Sequence, residues 1–377
     1  MARKLKSDKL LFTATLLLVC TSIVMVYSAT AVTATEKFQQ PYQFLFKQAA
    51  WVLIGLSLMP IVMRIDYRCY RQPMVIWTGL GIALLALVAV LFAPKINGAT
   101  RWLTVGPLGV QPSELAKIVV ILFIAALLER RMDRIDELGY SLLPIGLVTG
   151  AIVGLILVEP DLGTAVSVLV IAAAMVFAAG VSYRYVLGLF LVSLPALYLV
   201  VMATEYRRQR VLAFLDPWSD PYGSGYQMIQ SIIAVATGGV FGRGLMGGVQ
   251  KLFYLPEPHN DFIYAVIAEE LGLLGATMVL ACFCVIAWRG MRTAMRAPDR
   301  FGTFIAIGLT VMLTFQAFFN ISVVLGLAPT KGIPLPFVSA GGSSLLVSLL
   351  GMAILLNVSQ HASSPHTMTM ATAKPDA

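Results

Sequence analysis

Charge is what this chain has least of. Asp, Glu, Lys and Arg make up 12% of its 377 residues, about half the share usual in soluble domains. Cysteine is scarce too: Cys20, Cys282 and Cys284 fall inside apolar runs and Cys69 in a short basic loop, so no disulfide framework is expected. Three histidines, two of them near the polar C-terminal end, offer no His/Cys metal-ligand spacing. Nothing matches a P-loop, a Ser-His-Asp arrangement or a dinucleotide-binding pattern. These absences exclude a soluble enzyme of the common nucleotide-binding or hydrolase types, a disulfide scaffold and a structural zinc site.

What fills the chain is apolar. Hydrophobic residues make up 58%, against roughly 45–50% in soluble proteins, and they cluster in runs long enough to cross a bilayer core of about 30 Å. The expected fold class is therefore an all-α polytopic membrane protein. Ten spans are expected: Leu10–Val32, Phe44–Met63, Pro73–Phe92, Ser113–Leu128, Leu142–Val158, Leu162–Gly180, Tyr183–Ala203, Phe262–Trp288, Phe301–Leu327 and Gly342–Val358. They form one membrane domain over residues 1–358, followed by a polar tail, 359–377, expected to be disordered and cytoplasmic. Ala29-Thr30-Ala31 has the look of a signal-peptidase site, but the apolar run around it is too long for a signal peptide and more spans follow, so a retained first helix is expected.

The net charge of +8 does not point to nucleic acid, because most of it lies in short loops between apolar runs. Arg3, Lys4, Lys6 and Lys9, then Arg64, Arg68 and Arg71, then Arg130, Arg131 and Arg134, then Arg184, then Arg289, Arg292, Arg296 and Arg300 all fall on one side. The opposite short loops hold Lys37, Lys95, Arg101 and Lys331. The positive-inside rule then puts both termini in the cytoplasm and the long segment 204–261 outside. No internal repeat of the kind that builds transporters is visible.

Segment 204–261 is the one long polar stretch. Arg207, Arg208, Arg210, Arg243 and Lys251 stand in it beside Glu205, Asp216, Asp220, Glu257 and Asp261. Trp218, Tyr222, Tyr226, Phe253 and Tyr254 argue against a flexible linker. Within it, Met228–Phe241 is apolar but too short to span, and reads as a re-entrant or interfacial helix. Asp261 ends the loop. It is either an N-cap for the eighth span or a general base at the outer face. The second role needs apolar walls or a nearby carboxylate such as Glu257 to raise its basicity against the helix dipole.

Other charges carry two readings each. Glu114 and Lys117 lie on one helix face, as a structural ion pair or as cavity-lining groups. Glu159-Pro160-Asp161 reads as a tight turn with an Asp cap, and Glu269 and Glu270 as structurally paired acids. Arg207, Arg208, Arg210 and Arg101 suit a lipid phosphate or diphosphate, specifically or as general lipid contacts. Pro329–Ser344, with three prolines and three glycines, must be buried in protein or line a cavity.

Five stretches in order resemble one family: NGATRWLTVGPLGVQPSELAK, EPDLGTA, RRQRVLAFLDPWSDPYGSGYQMIQS, QKLFYLPEPHNDFIYAVIAEELG and NISVVLGLAPTKGIPLPFVSAGGSS. They are similar to the SEDS proteins (shape, elongation, division and sporulation), and more to the division-type than to the elongation-type members. The resemblance implies a peptidoglycan glycosyltransferase that polymerises lipid II into β-1,4 glycan strands outside the bacterial cytoplasmic membrane. It implies Asp261 as the catalytic residue. It also implies Glu114 and Lys117 as groups lining the cavity beneath the long loop; with Arg101, Arg207, Arg210, Lys251, Glu257 and His259 they make up the expected substrate-binding set. A class B penicillin-binding protein transpeptidase is the partner the resemblance implies; other division or elongation proteins and membrane lipid are further expected partners, with no nucleic acid. A divalent cation, Mg²⁺ or Mn²⁺, is the expected cofactor because it binds substrate phosphates with few carboxylates. The chain departs from the family pattern at Asn260, where Thr is usual, and at Ala340, where Tyr is usual. A lipid II flippase or a scaffold for division enzymes are the rival classes; a flippase predicts charges spread through the membrane midplane, a scaffold predicts a dispensable Asp261.

Overall fold

A computed structural model describes residues 7–94, 100–105 and 108–362. Residues 1–6, with Arg3, Lys4 and Lys6, and Lys95 lie outside the described residues, as does 363–377 of the expected tail.

Local chemistry sets several helix boundaries. Helix α1 (Lys9–Phe38) starts where the Asp8 carboxylate accepts the Leu10 and Leu11 N–H groups, and ends at Gln39 in a left-handed conformation. Proline opens α3 (Pro73–Leu91) and α4 (Pro112–Arg131), where its missing N–H costs nothing. α2 spans Gln43–Arg64 and α5 spans Leu143–Val158. Asp161 caps α6 (Leu162–Ala178) by accepting the Thr164 N–H, and α7 covers Tyr183–Met202. Inside segment 204–261 lie α8 (Glu205–Leu215) and α9 (Tyr226–Gly238). α10 (Ile263–Arg296), α11 (Arg300–Val324) and α12 (Gly342–His361) follow. The tail therefore begins later than expected, because the last helix carries Ser359–His361 as well. A short antiparallel hairpin, β1 (Leu103–Val105) with β2 (Leu108–Val110), precedes α4.

Seven of these helices are long and apolar enough to cross a membrane: α1, α2, α3, α5 with the turn before it, α10, α11 and α12. α6 is apolar but shorter, and α4 carries Glu114, Lys117, Glu129, Arg130 and Arg131. α10 and α11 pack along each other at the centre, with α1 and α9 against α10 and with α4 and α6 against α11; α12 lies against α2. The outer faces of α2, α3 and α5 present Phe46, Ile82, Leu85 and Leu147, an apolar surface too extensive for water. Ala29, Thr30 and Ala31 are buried inside α1, which packs on α10, so the peptidase-like tripeptide is part of the core.

α10 is not one helix. Gly272 has φ 66° and ψ −164°, and the backbone of Gly238–Gly248 fills the break. The Arg243 and Gly244 N–H groups donate to the Glu269 and Glu270 carbonyls, and the Leu273 N–H donates to Gly239. The two acids complete the joint. Glu269 accepts from the Val249 and Gln250 N–H groups, and Glu270 from Met246 N–H, Ser28 Oγ and Lys251 Nζ at 2.5 Å. This is the paired arrangement expected of acids at membrane depth.

At the end of the bundle opposite Asp261, Asp8 bonds Arg289, and Asp299 caps α11 while accepting from Tyr67 Oη and Arg68 Nε. Asn357 on α12 donates to the Met63 and Ile65 carbonyls and accepts the Tyr67 N–H. All four cysteines are free thiols.

Candidate functional site

The other end of the bundle gathers the turn before α10, the α5–α6 turn, the approach to the hairpin, α8 and the α11–α12 connection. Asp261 sits in the first of these, two residues before α10. The expected capping role is not what the structure shows: Phe262 occupies the cap position and no side chain caps the helix. Among the described residues the Asp261 carboxylate accepts no hydrogen bond, while its backbone carbonyl is fixed by Asn320 Nδ2 at 2.8 Å. Asn320 also donates to the Ile333 carbonyl at 2.8 Å, clamping the 329–344 connection against the turn. Ser339 Oγ donates to the Asn260 carbonyl at 2.6 Å and the Ala340 N–H donates to the His259 carbonyl at 2.9 Å. Gly332 meets the carboxylate so closely that a Cβ there would stand 3.0 Å from Oδ2.

Burial pushes the Asp261 carboxyl up to about 7; Arg210 opposes this, Glu257 and Asp161 add to it, and Arg101 opposes it more weakly. The partly buried carboxylate is thus poised near neutrality, with no hydrogen bond among the described residues to quench its basicity. Glu257 in turn accepts from Asn260 Nδ2 at 2.8 Å and lies 3.6 Å from His259 Nε2. His259 packs against the Phe44 ring.

Two guanidinium groups, Arg210 and Arg101, act on this carboxylate, and Arg207 and Lys331 stand next to them. Arg101 donates to the Glu159 and Pro160 carbonyls, and Arg210 donates to the Thr330 carbonyl at 3.1 Å. Both spend hydrogen bonds on backbone oxygens and keep their charge uncompensated by a bonded carboxylate. Arg207 and Arg210 lie on the inward side of α8, whereas Arg208 faces out and pairs with Glu205. Lys331, which the sequence offers only as a loop charge, joins them: burial lowers its ammonium to about 8, with Arg210 and Arg207 adding to the effect and Asp161 opposing it.

Asp161 does two jobs here. Its oxygens accept from Thr164 N–H, Thr164 Oγ1 and Gln111 Nε2, which ties the start of α4 to the start of α6. Behind it, Glu159 is fully buried and neither carboxyl oxygen has a hydrogen-bond partner among the described residues. Burial, then the Asp161 charge, raise it to about 8 against the pull of Arg101, so it carries a proton at neutral pH. In the sequence both residues read as turn formers; no local pattern shows that the turn faces Asp261.

Two expected site groups are each engaged in an ion pair of their own. Glu114 and Lys117 form a closed ion pair at 2.8 Å, both buried on α4, one turn below Gln111. Lys251 is 4% exposed and bonded to Glu270 and Ser28 Oγ, so it serves the α10 joint and not the cationic cluster.

On the far side of the 259–261 turn lies a cavity of about 340 Å³. Lys47, Trp51, Trp102, His259 and Asn260 contribute to its wall, and Ala340 and Gly341 close it. Both positions that depart from the family pattern, Asn260 and Ala340, therefore shape the same space. Among the described residues no three His, Cys, Asp or Glu side chains come together as metal ligands. The acids around Asp261 are interleaved with cations, a donor set that does not fit a metal cage built by the protein alone.

The family model of the cell cycle proteins FtsW, RodA and SpoVE matches residues 8–364. The chain is 44% identical over 346 residues to the probable peptidoglycan glycosyltransferase FtsW of Geobacter sulfurreducens, spanning 91% of this chain and 92% of that one. It is 40% identical over 361 residues to stage V sporulation protein E of Bacillus subtilis, covering 95% and 98%. Among solved structures, a chain from a peptidoglycan synthase complex that coordinates polymerization and crosslinking superposes with a TM-score of 0.78 at 32% identity, covering 94% of this chain and 98% of that one.

Proposed function

The chain belongs to the FtsW, RodA and SpoVE family of cell cycle proteins, and from that premise we propose that it is a peptidoglycan glycosyltransferase of the bacterial cytoplasmic membrane. Its substrate in this reading is lipid II, polymerised into β-1,4 glycan strands at the outer face, with both termini in the cytoplasm and ten crossings. The likeness to FtsW across most of the chain favours septal synthesis in cell division over an elongation role. The relative solved within a peptidoglycan synthase complex supports a class B penicillin-binding protein transpeptidase as partner.

One observation carries the mechanism: a carboxylate without a hydrogen bond among the described residues, raised to about 7, with the guanidinium groups of Arg210 and Arg101 beside it. Asp261 takes the proton from the 4-hydroxyl of the acceptor sugar as that oxygen attacks the anomeric carbon of the donor. The bond from that carbon to the diphosphate breaks, and its electron pair leaves with the lipid diphosphate. Single displacement inverts the α-linked donor to a β bond. General-base help contributes typically 10²–10⁴-fold; the guanidinium groups of Arg101, Arg207 and Arg210 stabilise charge developing on the leaving group. A divalent cation is proposed as a companion of the diphosphate, since Mg²⁺ commonly binds substrate phosphates with few protein ligands; no step here depends on it.

The test is lipid II polymerisation by the purified chain with its cognate transpeptidase, with and without Mg²⁺, comparing wild type and Asp261→Asn. Glycan strands from wild type, and a loss of 10²-fold or more from a folded Asp261→Asn, are expected. Equal polymer from both removes Asp261 from the mechanism, and no polymer from wild type overturns the transferase reading in favour of a transporter or scaffold.

A further inference from the structure

Lys331 is the least explained charge in the molecule. It follows Thr330, whose carbonyl holds Arg210, and precedes Gly332, which touches the Asp261 carboxylate. It is half-buried, and among the described residues its ammonium makes no hydrogen bond and no ion pair. Arg210 and Arg207 reach it from α8, Arg101 from the approach to the hairpin, and Asp161 from the α5–α6 turn; Asp161 is the one acid among these. Glu159 stands behind Asp161, and Glu257 acts on Asp261 from the other side. Four cations converging on so little negative charge repel one another at rest. A multiply charged anion in the space would relieve that repulsion, and a diphosphate has the charge and the reach to meet several donors at once.

We propose that Lys331 binds the diphosphate of the lipid-linked donor and neutralises the charge that appears there as the sugar leaves. The proposal rests on the glycosyltransferase reading and adds to it a residue, a ligand group and a moment of action. The donor's diphosphate begins as a dianion and gains one negative charge when the electron pair of the sugar–oxygen bond moves onto it. An ammonium in contact compensates that charge without giving up its proton. Because burial and the neighbouring guanidinium groups hold Lys331 at about 8 in the empty site, capture of the diphosphate by the free protein weakens as pH rises through that value, whereas arginine keeps its charge throughout.

The experiment has two arms on the full-length chain. In the first, binding of undecaprenyl diphosphate to purified protein is compared for wild type, Lys331→Met and Lys331→Arg, with thermal unfolding confirming that each variant is folded. Lys331→Met is expected to bind about tenfold or more weakly, the scale of a lost charge-assisted bond, and Lys331→Arg within a few-fold of wild type. In the second, polymerisation with the transpeptidase is followed from pH 6 to 10. Wild type is expected to lose rate above about 8, and Lys331→Arg to keep it there. Equal lipid diphosphate affinity in wild type and Lys331→Met overturns the proposal, as does an alkaline limb that Lys331→Arg leaves unmoved. Absence of polymer from wild type sinks the transferase reading alone, and the binding arm still decides the role of Lys331.

Discussion

Gly332 is where the connection before α12 comes nearest to Asp261, and a methyl group there has to displace either the backbone or the carboxylate. Gly332→Ala is expected to lower the polymerisation rate about tenfold or more while leaving the melting temperature nearly unchanged, since sub-ångström misplacement of a reacting group is costly. A rate within twofold of wild type would show that the carboxylate has room to retreat. The titration of Asp261 gives a second expectation. The base acts only when deprotonated, and burial holds it at about 7, so the rate of wild type rises with pH to half its plateau near that value. A rate flat from pH 5 to 8 contradicts a base in this environment. Asp261 itself was legible in the sequence because it ends the only long polar stretch at the start of an apolar run. Lys331 and Lys251 were not: each is a lone lysine beside prolines or glycines, and what separates them is a partner elsewhere in the chain. Lys251 has Glu270 nineteen positions on and Ser28 in the first helix, and no local pattern reveals either.

At the scale of elements, the long apolar runs give the helices almost directly, because a segment surrounded by lipid has no other way to satisfy its backbone. Tertiary contact sets the rest. Gly272 lies in a stretch that reads as uninterrupted span, and the break appears only because the backbone of Gly238–Gly248 pairs across it. The Lys251–Glu270 pair holds this joint. Lys251→Met leaves a buried carboxylate uncompensated, and is expected to destabilise the protein by about 3–5 kcal/mol. Lys251→Met with Glu270→Gln is expected to recover most of that. Thermal unfolding in detergent checks both; a stable Lys251→Met chain that fails only to bind lipid diphosphate would return Lys251 to the substrate site.

For the whole molecule, the proposed orientation places Tyr222, 93% exposed, outside the cell and the exposed Cys69 inside. A charged, impermeant maleimide added to intact spheroplasts is expected to label Tyr222→Cys in a Cys69→Ser chain, and to label Cys69 of the native chain only after permeabilisation. Labelling of native Cys69 in intact cells would invert the topology. The interrupted α10 also has a mechanical consequence. A continuous rod of 34 residues would carry a push at its inner end straight to Asp261. At Gly272 the two lengths meet across a break filled by the backbone of Gly238–Gly248, and the length that leads to Asp261 is tied to α9 and the segment that follows it. In the proposed orientation that segment lies outside the cell, so a partner that tunes the site proposed at Asp261 has its best purchase from above the membrane.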